Sequence, residues 1–201
     1  RAYFRGWMAQ RSSLWSDYSN SVQHQAQALS SDAELASRLR NAEQGRTGNP
    51  AFDAWARELI ETGYLHNHAR MWFASIWVFT LRLPWALGAD FFLRHLLDGD
   101  PASNTLSWRW VSGLHTRGKT YLARRNNILK FTDGRLDPGP DLAEEAFIPE
   151  DCCPPAQPCL RWPEVPHEPG DGSAWLLTDE DATPPVSLPS GVPLVALQAT
   201  G

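Results

Sequence analysis

The sequence predicts an all-α body followed by an irregular, acidic, proline-rich extension. Three observations carry this. Up to residue 136 the apolar residues recur at three- and four-residue spacing, with no convincing two-residue alternation before residue 140. Helix start and stop residues punctuate that pattern, with Asn49-Pro50 and Asp100-Pro101 as openings and Gly45, Gly63 and Gly134 as stops. Finally, charge and proline divide the chain. Residues 1–136 hold 17 Lys/Arg, 11 Asp/Glu and 3 of the 16 prolines, a balance of +6; residues 137–201 hold 1, 12 and 13, a balance of −11.

Element by element, Tyr3, Phe4, Trp7 and Met8 are spaced for one face of an opening helix. Leu14, Trp15, Tyr18 and Val22 either continue it or begin another. Ser31 or Asp32 caps a helix carrying Leu35 and Leu39, which stops near Gly45. Asn49 and Pro50 open the clearest helix, with Phe52, Trp55, Ala56, Leu59 and Ile60 on its apolar side and Gly63 as its stop. A longer helix is expected from about Asn67 to Leu83. It is apolar nearly all round and therefore central, and Pro84 ends it. Asp90–Leu97 reads as a short helix, Asp100-Pro101 opens one that runs through Trp108 to about Gly113, and Arg124–Phe131 is the last. Beyond it, 137–172 reads as an extended linker. The strand-like runs Ala174–Leu177 and Val192–Leu197 either begin a further small domain or pack as isolated strands.

Composition excludes several classes. With 42% hydrophobic residues and ten tryptophans among 201, the chain can bury a core, so wholesale disorder is out. No Gly-x-y period or sustained heptad is present. The longest uncharged apolar run, Met71–Leu81 between two arginines, is too short to span a bilayer. Cys152, Cys153 and Cys159 fit no common zinc spacing and read as free thiols of a reducing cytoplasm rather than metal ligands. No P-loop, Rossmann glycine set, Gly-x-Ser-x-Gly or His-Glu-x-x-His occurs. The chain opens on Arg1 inside a helical pattern, so it is expected to be part of a longer protein. Core positions are expected for Trp7, Trp15, Trp55, Trp72 and Trp77.

Chemistry concentrates in two places. His66, Asn67, His68 and Arg70 open the apolar helix, where polar groups need partners. Thirty residues on, Asp98-Gly99-Asp100 sets two carboxylates about a glycine. Arg70 and Asp98 are expected to pair, either as an architectural clamp between helices or as part of a pocket for an anionic, hydrogen-bonding ligand. If the pair is buried, losing one partner costs about 3–5 kcal/mol. Trp108 and Trp110 are two apart and cannot share one core face, so one is free to line a pocket and the other its mouth. Arg117, Lys119, Arg124 and Arg125 form a basic stretch that is either a solvated face or a phosphate-contact surface.

The segments Thr47-Gly48-Asn49-Pro50-Ala51-Phe52-Asp53-Ala54, Gly63-Tyr64-Leu65-His66-Asn67-His68-Ala69-Arg70-Met71 and Asp98-Gly99-Asp100-Pro101-Ala102-Ser103-Asn104, followed by Ser107-Trp108-Arg109-Trp110, give the chain a resemblance to the DNA photolyase/cryptochrome family. The resemblance covers about residues 1–135, in order and at family spacing, and its linked motifs are more specific together than any one alone. It implies the all-helical FAD-binding domain of that family, N-terminally truncated, over 1–136, with 137–201 as an added extension. An antenna chromophore would belong to the family's N-terminal α/β domain, which this sequence does not contain.

Residue by residue, the resemblance implies that Arg1 lines the flavin and DNA pocket. Asn67 and Arg70 stand beside the isoalloxazine, Asp98 pairs with Arg70, and Gly99 and Asp100 complete the loop at the flavin's polar edge. Asn104 faces flavin N5, where photolyases usually carry Asn and plant and animal cryptochromes usually do not. Trp108 and Trp85 match the inner and middle members of an electron-transfer chain whose outer member has no counterpart here. Met71 and Trp110 match contacts to a flipped pyrimidine dimer. His68 stands at a DNA contact where many photolyases carry Arg. Thr105-Leu106-Ser107 and the loop Thr116–Tyr121 depart from the family pattern, marking a divergent branch. What the resemblance implies is light-driven dimer repair with FAD as cofactor and damaged DNA as partner, in a monomer without membrane attachment. The alternatives are a cryptochrome-like blue-light receptor without repair and a helical piece that does not retain FAD.

Overall fold

Local hydrogen bonds set the helix boundaries in the computed structural model, which describes residues 2–11, 13–116, 118–149, 175–178 and 194–197. Arg1, Arg117 and the three cysteines lie outside the described residues. The helices are α1 (Ala2–Ala9), α2 (Ser13–Ala28), α3 (Ala33–Glu43), α4 (Pro50–Thr62), α5 (Asn67–Ser75), α6 (Trp85–His95), α7 (Pro101–Val111) and α8 (Arg125–Phe131). Asp32 caps α3 by accepting the Leu35 N–H at 2.9 Å, and Asn49 caps α4 by accepting that of Phe52 at 3.0 Å. Gly63 ends α4 in the left-handed region at φ 69°, where a side chain would also collide with Leu97. The turn before α4 is tied by Asp53, whose nearly buried carboxylate accepts from the Thr47 N–H and hydroxyl and the Gly48 N–H.

The all-α expectation for the body holds, with two corrections to its elements. The helix expected over Asn67–Leu83 stays α-helical only to Ser75. It then widens into a π-turn over Ile76–Thr80, closed by the Leu81 N–H on the Ile76 carbonyl at 2.8 Å. The helix expected from Asp90 begins at Trp85 instead, because Pro84 acts as the cap of α6 as well as the end of what precedes it. The bridge between them is the Trp77 indole N–H, which donates to the Pro84 carbonyl at 2.9 Å.

Helix α6 packs on α2 and α7, and α7 also touches α1 and α5. The core between them is aromatic. Phe73 lies among Phe52, Trp77, Phe91, Phe92 and Trp108, with ring centroids 4.2–6.5 Å away. Helix α6 approaches α7 so closely at Gly88 that a Cβ there would sit 2.4 Å from the Trp108 ring and 2.9 Å from Trp77. Trp55, Trp72 and Trp77 are buried as expected. Trp15 is not; it is 40% exposed on α2, because the α2 stripe that meets α6 runs through Leu14 and Tyr18.

After α8 the chain stays on the helical body. Asp137 pairs with Arg125, the Pro138 carbonyl accepts from Asn49, the Ala143 N–H donates to Thr80, and Phe147 stands edge-on to Phe79 under the Arg82 guanidinium. Residues 137–149, expected to be the start of a linker, are therefore packed against helices. Further on, β1 (Trp175–Thr178) and β2 (Leu194–Leu197) pair in parallel, Trp175 opposite Leu194.

Candidate functional site

The polar start of α5, the α6–α7 loop and the inner face of α7 converge on one cavity of about 670 Å³. Capping explains why they converge. The His66 ring nitrogen accepts the His68 N–H and starts α5, so that Asn67, Arg70 and Met71 look into the cavity. Asp100 caps α7 by accepting the Ser103 N–H at 2.9 Å, which sets Ser103, Asn104, Ser107 and Trp108 on the facing wall. Phe4 from α1 and Phe92 and Leu96 from α6 supply apolar surface.

Arg70 is held from two sides. Its Nε donates to the Leu65 carbonyl at 2.8 Å, and its Nη2 donates to both Asp98 oxygens at 3.0 and 3.1 Å. The expected pair is thus made, but it is not buried: the two side chains are 24% and 47% exposed. Asp98 sits on the loop at the cavity rim rather than inside a helix packing surface. Asp100 is the more enclosed acid. It accepts Arg5 Nε and Nη2 at 3.1 and 3.0 Å besides its capping bond. Burial by itself would raise its carboxyl, but the Ser103 N–H and the Arg5 guanidinium outweigh burial and hold it below the ordinary carboxylate range.

Asn104 is nearly buried, and its amide donates to the Ala89 carbonyl at 2.8 Å, which fixes the side chain between α6 and α7 at the cavity wall. Trp108 forms the floor, 2% exposed, while Trp110 is 39% exposed at the cavity and stacks on Tyr121. Trp85 is buried on α6, one turn before the Gly88 on which Trp108 lies, and does not line the cavity; it touches Tyr18 and lies under the Arg109 guanidinium. His68 does not line the cavity either. It stacks on the outer surface with His66, Trp72 and Phe131, at 5.6–5.8 Å.

Two neighbours were not legible as site residues. Arg5 was one more charge on an amphipathic helix until the fold set it against Asp100. His115 lines the cavity from the turn after α7, just before the divergent loop, and stacks on Trp7 at 4.7 Å. Burial, then Arg109 and Arg11, push its imidazole below the ordinary value and so favour its neutral form. Among the described lining residues Arg70 is the one Lys or Arg, and two carboxylates, Asp98 and Asp100, line the cavity with it.

An apolar floor with a tryptophan, one oriented guanidinium and amide donors along one edge suits a planar, hydrogen-bonding ring that can carry negative charge. Comparison with known proteins agrees. The family described as the FAD binding domain of DNA photolyase matches residues 1–150. The chain is 38% identical over 98 residues to a deoxyribodipyrimidine photo-lyase of Neurospora crassa, covering 49% of this chain and 16% of the relative. It is 41% identical over 102 residues to that of Streptomyces griseus, covering 51% and 21%. It is 46% identical over 107 residues to Cryptochrome-1 of Arabidopsis thaliana, covering 53% and 15%. The chain thus belongs to the DNA photolyase/cryptochrome family, and its helical body is that family's FAD-binding domain, with FAD as cofactor. It spans about a fifth or less of the length of these relatives. No helix among the described residues is long and apolar enough to cross a membrane.

Proposed function

We propose that this domain serves the light-driven repair of pyrimidine dimers in DNA. The observation that carries the reading is a single cavity that gathers an anchored Asn104 with Met71 and a half-exposed Trp110. FAD, when bound, supplies the one-electron chemistry. The chain's residues bind, orient and exclude water. Arg70, oriented by Asp98 and the Leu65 carbonyl, holds positive charge beside a flavin that is anionic when reduced. Asn67, Gly99 and Asp100 would hold the polar part of the flavin, and the anchored Asn104 amide would supply a hydrogen-bonding group from the facing wall. Arg1 is assigned to the same pocket by resemblance alone. Trp108 and Trp85 carry electrons inward. A dimer leaves the stack at lower cost than an intact base, and Met71 and Trp110 receive it at the rim. His68, outside the cavity, is left as a strand contact.

A second reading, a blue-light receptor without repair, is favoured by one feature: His68, which stands where many photolyases carry Arg, stacks on Trp72 and Phe131 outside the cavity and offers a DNA strand no guanidinium. The deciding experiment irradiates the flavin-loaded, full-length protein with an oligonucleotide holding one thymine dimer. Restored thymines support repair. Unrepaired DNA, with flavin still bound and photoreduced, favours the receptor.

A further inference from the structure

We propose that electrons reach the flavin site from solvent through helix α2, with Trp15 as the terminal donor and the Tyr18 ring as the bridge to Trp85. The proposal rests on the reading of Trp108 and Trp85 given above and supplies an outer member for which the sequence has no counterpart by motif.

Geometry comes first. Trp108 forms the cavity floor and lies on Gly88, one turn along α6 from Trp85. From Trp85 a row of rings leads outward. Tyr18 lies 5.8 Å from Trp85 between centroids, and Trp15 lies 5.2 Å from Tyr18. Their exposures run 1%, 5% and 40%, so the row starts in the core and ends in water.

Proton chemistry decides where the row ends. An oxidised indole or phenol is stabilised when its N–H or O–H proton leaves. The Trp108 and Trp85 indole nitrogens and the Tyr18 hydroxyl are all buried without a hydrogen-bond partner among the described residues. None of the three has an acceptor for that proton. Burial, followed by the Asp90 charge, also raises the Tyr18 phenol well above its ordinary value. Trp15 is the first ring of the row whose proton has water to go to.

Charge gives the direction. The Arg109 guanidinium, 5% exposed, stands 5.6 Å from the Trp85 ring, and no carboxylate among the described residues pairs with it. A fixed cation stabilises a neutral ring but repels a positive one. A positive charge on Trp85 is therefore driven outward.

The balance is one electron and one proton. With FAD bound and excited, Trp108 would give up one electron, Trp85 would refill Trp108, and Trp15 would refill Trp85 through the Tyr18 ring. The Trp15 Nε1–H proton goes to water and leaves a neutral indolyl radical. An added thiol then restores Trp15 by giving one electron and one proton.

The test uses the full-length, flavin-loaded protein with a thiol present, and follows light-driven flavin reduction and the transient radical spectrum. Wild type is expected to show a long-lived neutral tryptophanyl radical. Trp15→Phe, an exposed change that keeps the fold, is expected to lose that radical and to slow photoreduction several-fold, with flavin content and melting temperature unchanged. Tyr18→Phe keeps a bridging ring and is expected to retain the tryptophanyl signal. A Trp15→Phe protein with the wild-type radical and rate, while Trp108→Phe is blocked, overturns the α2 route and leaves the inner pair standing. A wild-type rate in Trp108→Phe overturns the inner pair and the route together. A tyrosyl rather than tryptophanyl spectrum in wild type overturns Trp15 as terminus.

Discussion

The two carboxylates of the α6–α7 loop, two residues apart, answer to different forces. Asp98 lies in a half-exposed pair with Arg70, and such pairs contribute about 0–1 kcal/mol. Asp98→Asn is therefore expected to lower the melting temperature of the flavin-free protein by no more than about 4 °C. Flavin affinity, which needs Arg70 oriented, is expected to fall far more; titration of the apoprotein with FAD checks this. Asp100 has a carboxyl held below its ordinary range, so its charge stabilises the fold above the unfolded value and stops doing so as pH falls through the folded one. Asp100→Asn keeps a good cap while removing the charge. Its deficit against wild type, in melting temperature, is expected to be full at pH 7 and to close on acidification below about pH 3.9. A deficit that persists at low pH would assign the effect to packing. The pairing of Arg70 with Asp98 was legible from spacing and resemblance, whereas its exposure was not, because exposure depends on where the loop sits relative to the cavity.

At the scale of elements, what could be read was whatever is decided within a few residues. Asp32, Asn49, Asp100 and Gly63 cap or stop helices through bonds to backbone three or four positions away, and each stands where it was expected. The start of α6 was missed because Trp85-Ala86-Leu87-Gly88-Ala89 has no polar face to show a helical period; the helix is buried nearly all round there. Trp15 was misplaced for the converse reason, since periodicity finds a stripe without naming its neighbour. Gly88 marks where this packing is tightest. Replacing a helical glycine by alanine ordinarily gains up to about 1 kcal/mol. Here the new methyl would meet Trp108 and Trp77 at 2.4–2.9 Å, and overpacking of this kind costs about 1–3 kcal/mol. Gly88→Ala is expected to lower the melting temperature and to shift the Trp108 fluorescence. A raised melting temperature would mean that α6 and α7 slide apart at little cost.

For the whole molecule, the question is where the folded body ends and what the acidic remainder does to a polyanionic partner. The change in charge and proline content at 136 is real in composition, yet the packing does not stop there. Asp137, Pro138, Ala143, Phe147 and Ile148 all rest on the helices, the last against Gly113. Sequence could not show this, because Thr80 and Phe79, the partners of Ala143 and Phe147, lie more than sixty residues away in the chain. Two truncations of the full-length protein separate composition from packing. Ending the chain after residue 149 keeps these contacts and is expected to leave the melting temperature unchanged. Ending it after 136 exposes Phe79 and leaves Arg125 and Asn49 without their partners, and is expected to lower it by several degrees. The first truncation also removes eight acidic residues and one arginine. If the helical body binds DNA through phosphate contacts, that loss of negative charge leaves affinity for dimer-containing DNA unchanged or higher. The gain should shrink as salt is raised, because phosphate contacts and tail repulsion are screened alike. A large loss of affinity on cutting after 149, with the melting temperature held, would instead make the extension part of the DNA site.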